Sequence, residues 1–106
     1  MSEKPEHLLT SVPYPSEQKN IECILSAGRI KILKALSTVE MLTVNEIHKR
    51  TELNHTVVYD HLRILEDEGL LCQKFLGNTR LYGYNEDSAK SIKVRQFIIA
   101  YTLSLL

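Results

Sequence analysis

The side chains best equipped to bind or react gather in one stretch of this 106-residue chain, "NHTVVYDHLRILEDEGLL", Asn54 to Leu71. Within it His55, Thr56, Tyr59, Asp60, His61 and Arg63 place two imidazoles, a hydroxyl, a phenol, a carboxylate and a guanidinium along about two and a half helical turns. Such groups donate and accept hydrogen bonds and suit the reading of polar edges and anions. They are not arranged for turnover: the sequence has no nucleophile beside a positioned base, no HExxH and no Gly-rich phosphate loop. His55 and His61 point about 120° apart on a helix and do not form a metal pair. Cys23 and Cys72 are the only cysteines and stand in no CxxC or CxC spacing, which speaks against a structural zinc site or a disulfide framework and for reduced intracellular thiols. The expected chemistry is recognition, with no enzymatic activity, metal or cofactor.

At about 100° per residue, Val57, Val58, His61, Leu62, Ile64 and Leu65 fall on one half of this helix, the side expected to face a core. Thr56, Tyr59, Asp60, Arg63 and Asp67 fall on the other, with His55 and Glu66 at its edge. His61, toward the buried side, is expected to donate to a backbone carbonyl. The acids Glu66 and Asp67 lie beyond the N-terminal part that would meet a partner.

The flanking segments supply a frame. All three prolines, Pro5, Pro13 and Pro15, fall within the first sixteen residues, which read as a flexible arm over 1–15. Ser16 can cap a first helix carrying Ile21, Ile24 and Leu25, interrupted at Gly28. A second helix follows with Ile30, Leu33 and Leu36 on one side and Arg29, Lys31 and Lys34 around the other. Leu42 allows a short extended stretch, and Thr43 with Glu46 forms a capping box for a third helix through Ile47. After the turn "TEL", Asn54 caps the fourth helix, which Gly69 stops. "LLCQKFL", "GN" and "TRLYGY" read as two strands around a tight Gly77-Asn78 turn. Asn85 is expected to cap a last helix, with Glu86 and Asp87 in its first turn, ending in "FIIAYTLSLL". The fold expected is mainly α with a small β-hairpin: four helices, the hairpin, then a fifth helix, the third and fourth forming a helix-turn-helix and the hairpin its wing. The domain proper would span 16–84, with a C-terminal helical segment over 85–106.

Thirteen basic residues balance thirteen acidic ones. A polyanion partner therefore has to be argued from where charges sit and not from their sum. No run of about 20 apolar residues suggests a membrane span, so a soluble cytoplasmic protein is expected.

In order and spacing these segments resemble the ArsR-type family of winged helix-turn-helix transcriptional regulators from about Ile24 to Tyr84. "ILSAGRIKILKAL" is similar to the family's opening helix pair, "LTVNEIHKRTELNHTVVYDHLRILEDEGLL" to its helix-turn-helix without a gap, and "GNTRLYGY" to the Gly-Arg-x-x-Tyr end of its wing. The resemblance implies a homodimer that sets two recognition helices in successive major grooves, joined by its first and last helices. Independently, "FIIAYTLSLL" is apolar on nearly every side, more than one small core can cover. Ile21, Ile24, Ile92, Ile99, Leu103 and Leu106 are the expected dimer contacts. The chain departs from the family's metal sensors: Thr43 and Asn45 occupy the positions of the thiolate pair, and the last helix has no histidine.

These observations point to a double-stranded DNA-binding regulator, most simply a repressor, on the nucleoid of a bacterium or archaeon or encoded by one of their viruses. His55, Thr56, Tyr59, Asp60 and Arg63 would face the major groove. Lys49, Arg50, Lys74 and Arg80, and also Arg29, would meet phosphates, while Asn78 and Arg80 carry the wing, 76–80, to the minor groove or backbone. A protein-docking winged helix and an architectural chromatin protein are the alternatives, and no small-molecule effector is assigned.

Overall fold

The computed structural model describes residues 26–104. The chain runs α1 (Ala27–Ser37), α2 (Val44–Thr51), α3 (His55–Asp67), β1 (Leu71–Leu76), β2 (Thr79–Tyr84) and α4 (Ala89–Ser104). The described residues thus hold four helices and one antiparallel hairpin. The proposed arm over 1–15, the helix expected from Ser16 with Ile21 and Ile24, Cys23 and Leu106 lie outside them.

One core joins all six elements. Ile32, Leu33 and Leu36 of α1, Ile47 of α2, Val58, Leu62 and Leu65 of α3, Tyr82 and Tyr84 of β2 and Ile98 of α4 are buried together with Leu42, Val44, Leu70 and Leu71. The buried stripe of α1 includes Ile32, whereas Ile30, assigned to it from spacing, is only half-buried. Burying Leu62 alone contributes about 2–5 kcal/mol against its truncation to alanine.

Two element boundaries differ from expectation. Gly28 is not the break ahead of α1; it stands in the first turn of that helix, two residues after the N-cap Ser26. A Cβ there would lie 2.5 Å from His61 Nε2, so the missing side chain makes room for the imidazole of α3. The last helix begins at Ala89 and not directly after Asn85, because Asn85 Oδ1 accepts from the Asp87 amide at 3.1 Å and turns the chain locally. Ser88 takes the capping role: its Oγ accepts from the Ser91 amide at 3.2 Å. Glu86 and Asp87 therefore precede the helix instead of filling its first turn.

The hairpin pairs Leu71 with Tyr84 through Leu76 with Thr79. At its tip Gly77 alone has positive φ, +63°, as a type II′ turn requires at its first central residue. Leu42 adds one extended rung, exchanging both backbone bonds with Tyr82 at 2.9 and 2.8 Å. Gly83 is required by this rung's neighbour, since a Cβ at that position would collide with the Glu40 carbonyl.

α4 is tied across the domain by polar bonds. Arg95 donates from Nε to the Ser37 carbonyl and from a terminal nitrogen to that of Val39, both at 3.1 Å, so a cation covers the C-terminal end of α1. Its guanidinium also lies 5.4 Å from the Tyr84 ring centroid. The Tyr84 hydroxyl donates to the Leu33 carbonyl at 2.8 Å, and burial pushes its pKa well above the usual phenol range.

Candidate nucleic-acid interface

The reading end of the molecule is built where α2 meets α3. Thr43 Oγ1 accepts from the Glu46 amide at 3.1 Å, and Glu46 Oε1 accepts from the Thr43 amide at 2.9 Å, the reciprocal capping box expected from sequence. Those bonds, aided by Arg50 and Lys49, hold the Glu46 carboxyl below the usual carboxylate range. Glu52 ends α2 in the left-handed region at φ +63°, its amide donating to the His48 carbonyl at 2.8 Å. Thr51 Oγ1 donates to the Ile47 carbonyl and accepts from the Leu53 amide, so a buried threonine ties the turn to α2 from inside.

Asn54 caps α3 as expected, its Oδ1 accepting from the Val57 amide at 2.9 Å. A further brace was not legible in the sequence. His48 Nδ1 lies 2.6 Å from the Leu53 carbonyl, an N–H donation, and its ring stacks on that of His55 with centroids 4.1 Å apart. The start of α3 is thereby fixed to α2 by Thr51, by the His48 bond to Leu53 and by a ring stack.

α3 divides into two faces much as its spacing predicts. Val58, Leu62 and Leu65 are buried, and Ile64, Val57 and His61 are half-buried. His55, Thr56, Tyr59, Asp60 and Arg63 are all exposed, Tyr59 at 48%. Asp60 and Arg63 form an ion pair at 3.5 Å with both side chains more than half exposed. At that exposure the pair adds little stability, but it restricts where the guanidinium points. Further along, Glu66 accepts two bonds at 2.9 Å from the Gln73 amide nitrogen and fastens α3 to β1.

His61 behaves otherwise than expected. Its Nδ1 accepts from Arg29 Nε at 3.2 Å, where a backbone carbonyl was the expected partner. Burial, with Arg29 next, lowers its pKa, while Asp60 opposes the shift. The imidazole is therefore held neutral as an acceptor, and Arg29 Nε, named above as a phosphate donor, is engaged with it.

The hairpin separates its two candidate cations. Side chains alternate along a strand, so Gln73, Phe75, Arg80 and Tyr82 share one face while Lys74, Leu76, Thr79 and Leu81 share the other. The Gln73 bond to Glu66 turns the first face toward α3. Arg80 lies on that face with its Cζ 5.5 Å from the Phe75 ring centroid. Its pKa is raised, first by the neighbouring Tyr82 hydroxyl and then by Tyr59 and Glu66. Lys74 instead lines a groove with Glu40, Met41, Cys72, Glu86 and Asp87. Asn78 is exposed at the tip, and Lys49 and Arg50 are exposed at the end of α2. Phe75 and Leu76, 64% and 73% exposed, went unassigned in the sequence reading although they flank that tip.

Among the described residues no three His, Cys, Asp or Glu side chains converge on a point that could hold a metal ion. Cys72 is half-buried and directs Sγ to the Tyr84 carbonyl at 3.7 Å. No helix of the described residues is long and apolar enough to cross a membrane.

A capped helix pair, an exposed polar second helix and a hairpin packed against its end together define a winged helix-turn-helix. The family model described as bacterial regulatory protein, arsR family, matches residues 26–72, the segment that holds the helix-turn-helix. Solved structures share the fold. A predicted DNA-binding transcriptional regulator from E. coli is 21% identical with a TM-score of 0.71, covering 95% of this chain and 99% of that one. The transcriptional repressor BigR from Xylella fastidiosa is 14% identical with a TM-score of 0.73, covering 94% of each. A homodimeric winged helix-turn-helix DNA-binding domain from Mycobacterium bovis, a possible ArsR-family regulator, is 18% identical with a TM-score of 0.67, covering 96% of this chain and 87% of that one. No curated protein matches the chain.

Proposed function

We propose that this protein is a sequence-specific, double-stranded DNA-binding transcriptional regulator that acts as a homodimer, most simply by repression. The observation that carries the reading is the N-terminal half of α3. There His55, Thr56, Tyr59, Asp60 and Arg63 stand exposed on a helix whose start is braced to α2 and whose open face is flanked by the wing.

In this reading Arg63 contacts a guanine edge or a phosphate, with Asp60 restricting its direction. Thr56 and His55 meet base edges, and Tyr59 meets a thymine methyl or a phosphate. Lys49 and Arg50 at one flank and Arg80 at the other contact the backbone, with Asn78 at the wing tip. Lys74, on the opposite face of the hairpin, contributes less. The domain arrangement follows: an arm over 1–15, the DNA-binding unit over 16–84, and a dimerising C-terminal segment over 85–106. Ile92 and Leu103 are exposed on α4 and Ile99 is half-buried beside them, so all three are available to a second copy; Ile21, Ile24 and Leu106 lie outside the described residues.

The test is selection of bound sequences from a pool of random duplexes. A dimer with two reading helices recovers an inverted repeat with half-sites one helical turn apart. No enrichment would favour a winged helix that docks on protein, and uniform retention an architectural chromatin protein; either result removes the proposal.

A further inference from the structure

Phe75 poses a physical question, because an aromatic ring exposed on a hairpin is not used by the core. It is paired directly across the strands with Arg80, whose guanidinium carbon lies over the ring at 5.5 Å. Tyr82 follows on the same face, and Gln73 holds that face to α3 through Glu66. Arg80 thus lies across the Phe75 ring on the hairpin face that Gln73 fastens to α3. An arginine has one of the largest rotamer entropies of any side chain, and a guanidinium already held in place loses less of it on meeting an anion.

We propose that Phe75 is a positioning residue that holds Arg80 over the cleft between wing and recognition helix, so that Arg80 and Tyr59 address one stretch of DNA backbone as a unit. This rests on the DNA-binding reading above and adds to it a residue that touches no base. It also redirects Arg80 from the minor groove to the phosphates bordering the groove that α3 occupies. Leu76 is not part of the device, since it lies on the other hairpin face opposite Thr79.

The experiment is a double-mutant cycle on a duplex carrying the sequence selected by the wild-type protein, with affinity read by fluorescence anisotropy at one salt concentration. Phe75→Leu, which keeps apolar bulk without a ring, is expected to weaken binding about two- to fivefold, and Phe75→Tyr to stay within about twofold of wild type. Arg80→Ala weakens binding more, and adding Phe75→Leu to it costs nothing further. Wild-type and Phe75→Leu proteins are also compared without DNA by NMR, where the Arg80 side-chain protons are shifted upfield by the ring and lose that shift in the variant. If Phe75→Leu is silent, or if its effect persists undiminished in the Arg80→Ala background, the positioning role is wrong while the DNA-binding reading stands. If the wild-type protein binds no duplex, both fall.

Discussion

α3 and α4 are both helices with one side against the core, yet they leave opposite chemistry uncovered. α3 buries Val58, Leu62 and Leu65 and exposes His55, Thr56, Tyr59, Asp60 and Arg63. α4 buries only Ser91 and Ile98 and exposes Ile92, Phe97, Tyr101 and Leu103, with Phe97 and Tyr101 stacked at 6.4 Å. An exposed polar face carries no cost in water and can trade hydrated groups for base edges and phosphates. An exposed apolar face gains only by meeting another apolar surface, because the driving force is removal of that area from water. On the function proposed above, the two helices meet partners of different kinds: a hydrated polyanion at α3 and an apolar protein surface, most simply a second α4, at the C-terminal helix.

The comparison breaks most visibly at α4. Phe97→Glu with Leu103→Glu should convert the dimer to a monomer and lower operator affinity by about 10²–10⁴, the advantage lost when two linked half-site contacts become separate ones. Light scattering on the eluting protein reads the first effect and titration with the selected duplex the second. A variant still dimeric would show that α4 is not the interface.

On the core side of α3, Leu62→Ala should reduce unfolding free energy by about 2–5 kcal/mol in urea titration, since the residue is fully buried. On its open side, Arg63→Ala should leave the urea midpoint unchanged. It should cost about 1–3 kcal/mol of operator binding if Arg63 reads a guanine, or lower the salt slope by about 1 if it meets a phosphate. Equal loss of stability from both substitutions would erase the division between the two faces.

A smaller effect belongs to His61. Its pKa is lowered in the folded chain, first by burial and then by Arg29, so below the ordinary histidine value of about 6.5 the unfolded chain binds more protons than the folded one. Its contribution is fully present above that value and is lost as pH falls through the lowered folded pKa. His61→Gln should flatten the dependence of stability on pH over that window. An unchanged dependence would assign it to other groups.

What the sequence made legible follows physical range. The Thr43-Glu46 box, the Asn54 cap, the Gly69 stop at φ +79° and the Gly77 turn are set by residues a few positions apart, and each stands where local spacing puts it. The faces of α3 follow from a single period. Missed features depend on partners distant in sequence. Gly28 reads as a helix break until His61 is packed upon it, and the bond from Arg29 to the same imidazole joins residues 32 positions apart. Charge alone assigns both Lys74 and Arg80 to phosphates, and strand alternation sends them to opposite faces of the hairpin. His48 could have been suspected, being seven residues before His55 across a short turn, but only the packing of α2 on α3 brings the rings together.

Asp60 remains the sharpest probe of whether α3 reads sequence, because a carboxylate facing DNA costs affinity unless it discriminates. Selection from random duplexes should be run in parallel with the wild-type protein and Asp60→Asn. The wild-type protein is expected to recover an inverted repeat, and the variant the same repeat with preference relaxed at one symmetry-related pair of positions, at equal or tighter overall binding. Identical base preferences for the two proteins, or no repeat for either, would contradict the claim that this helix reads the major groove.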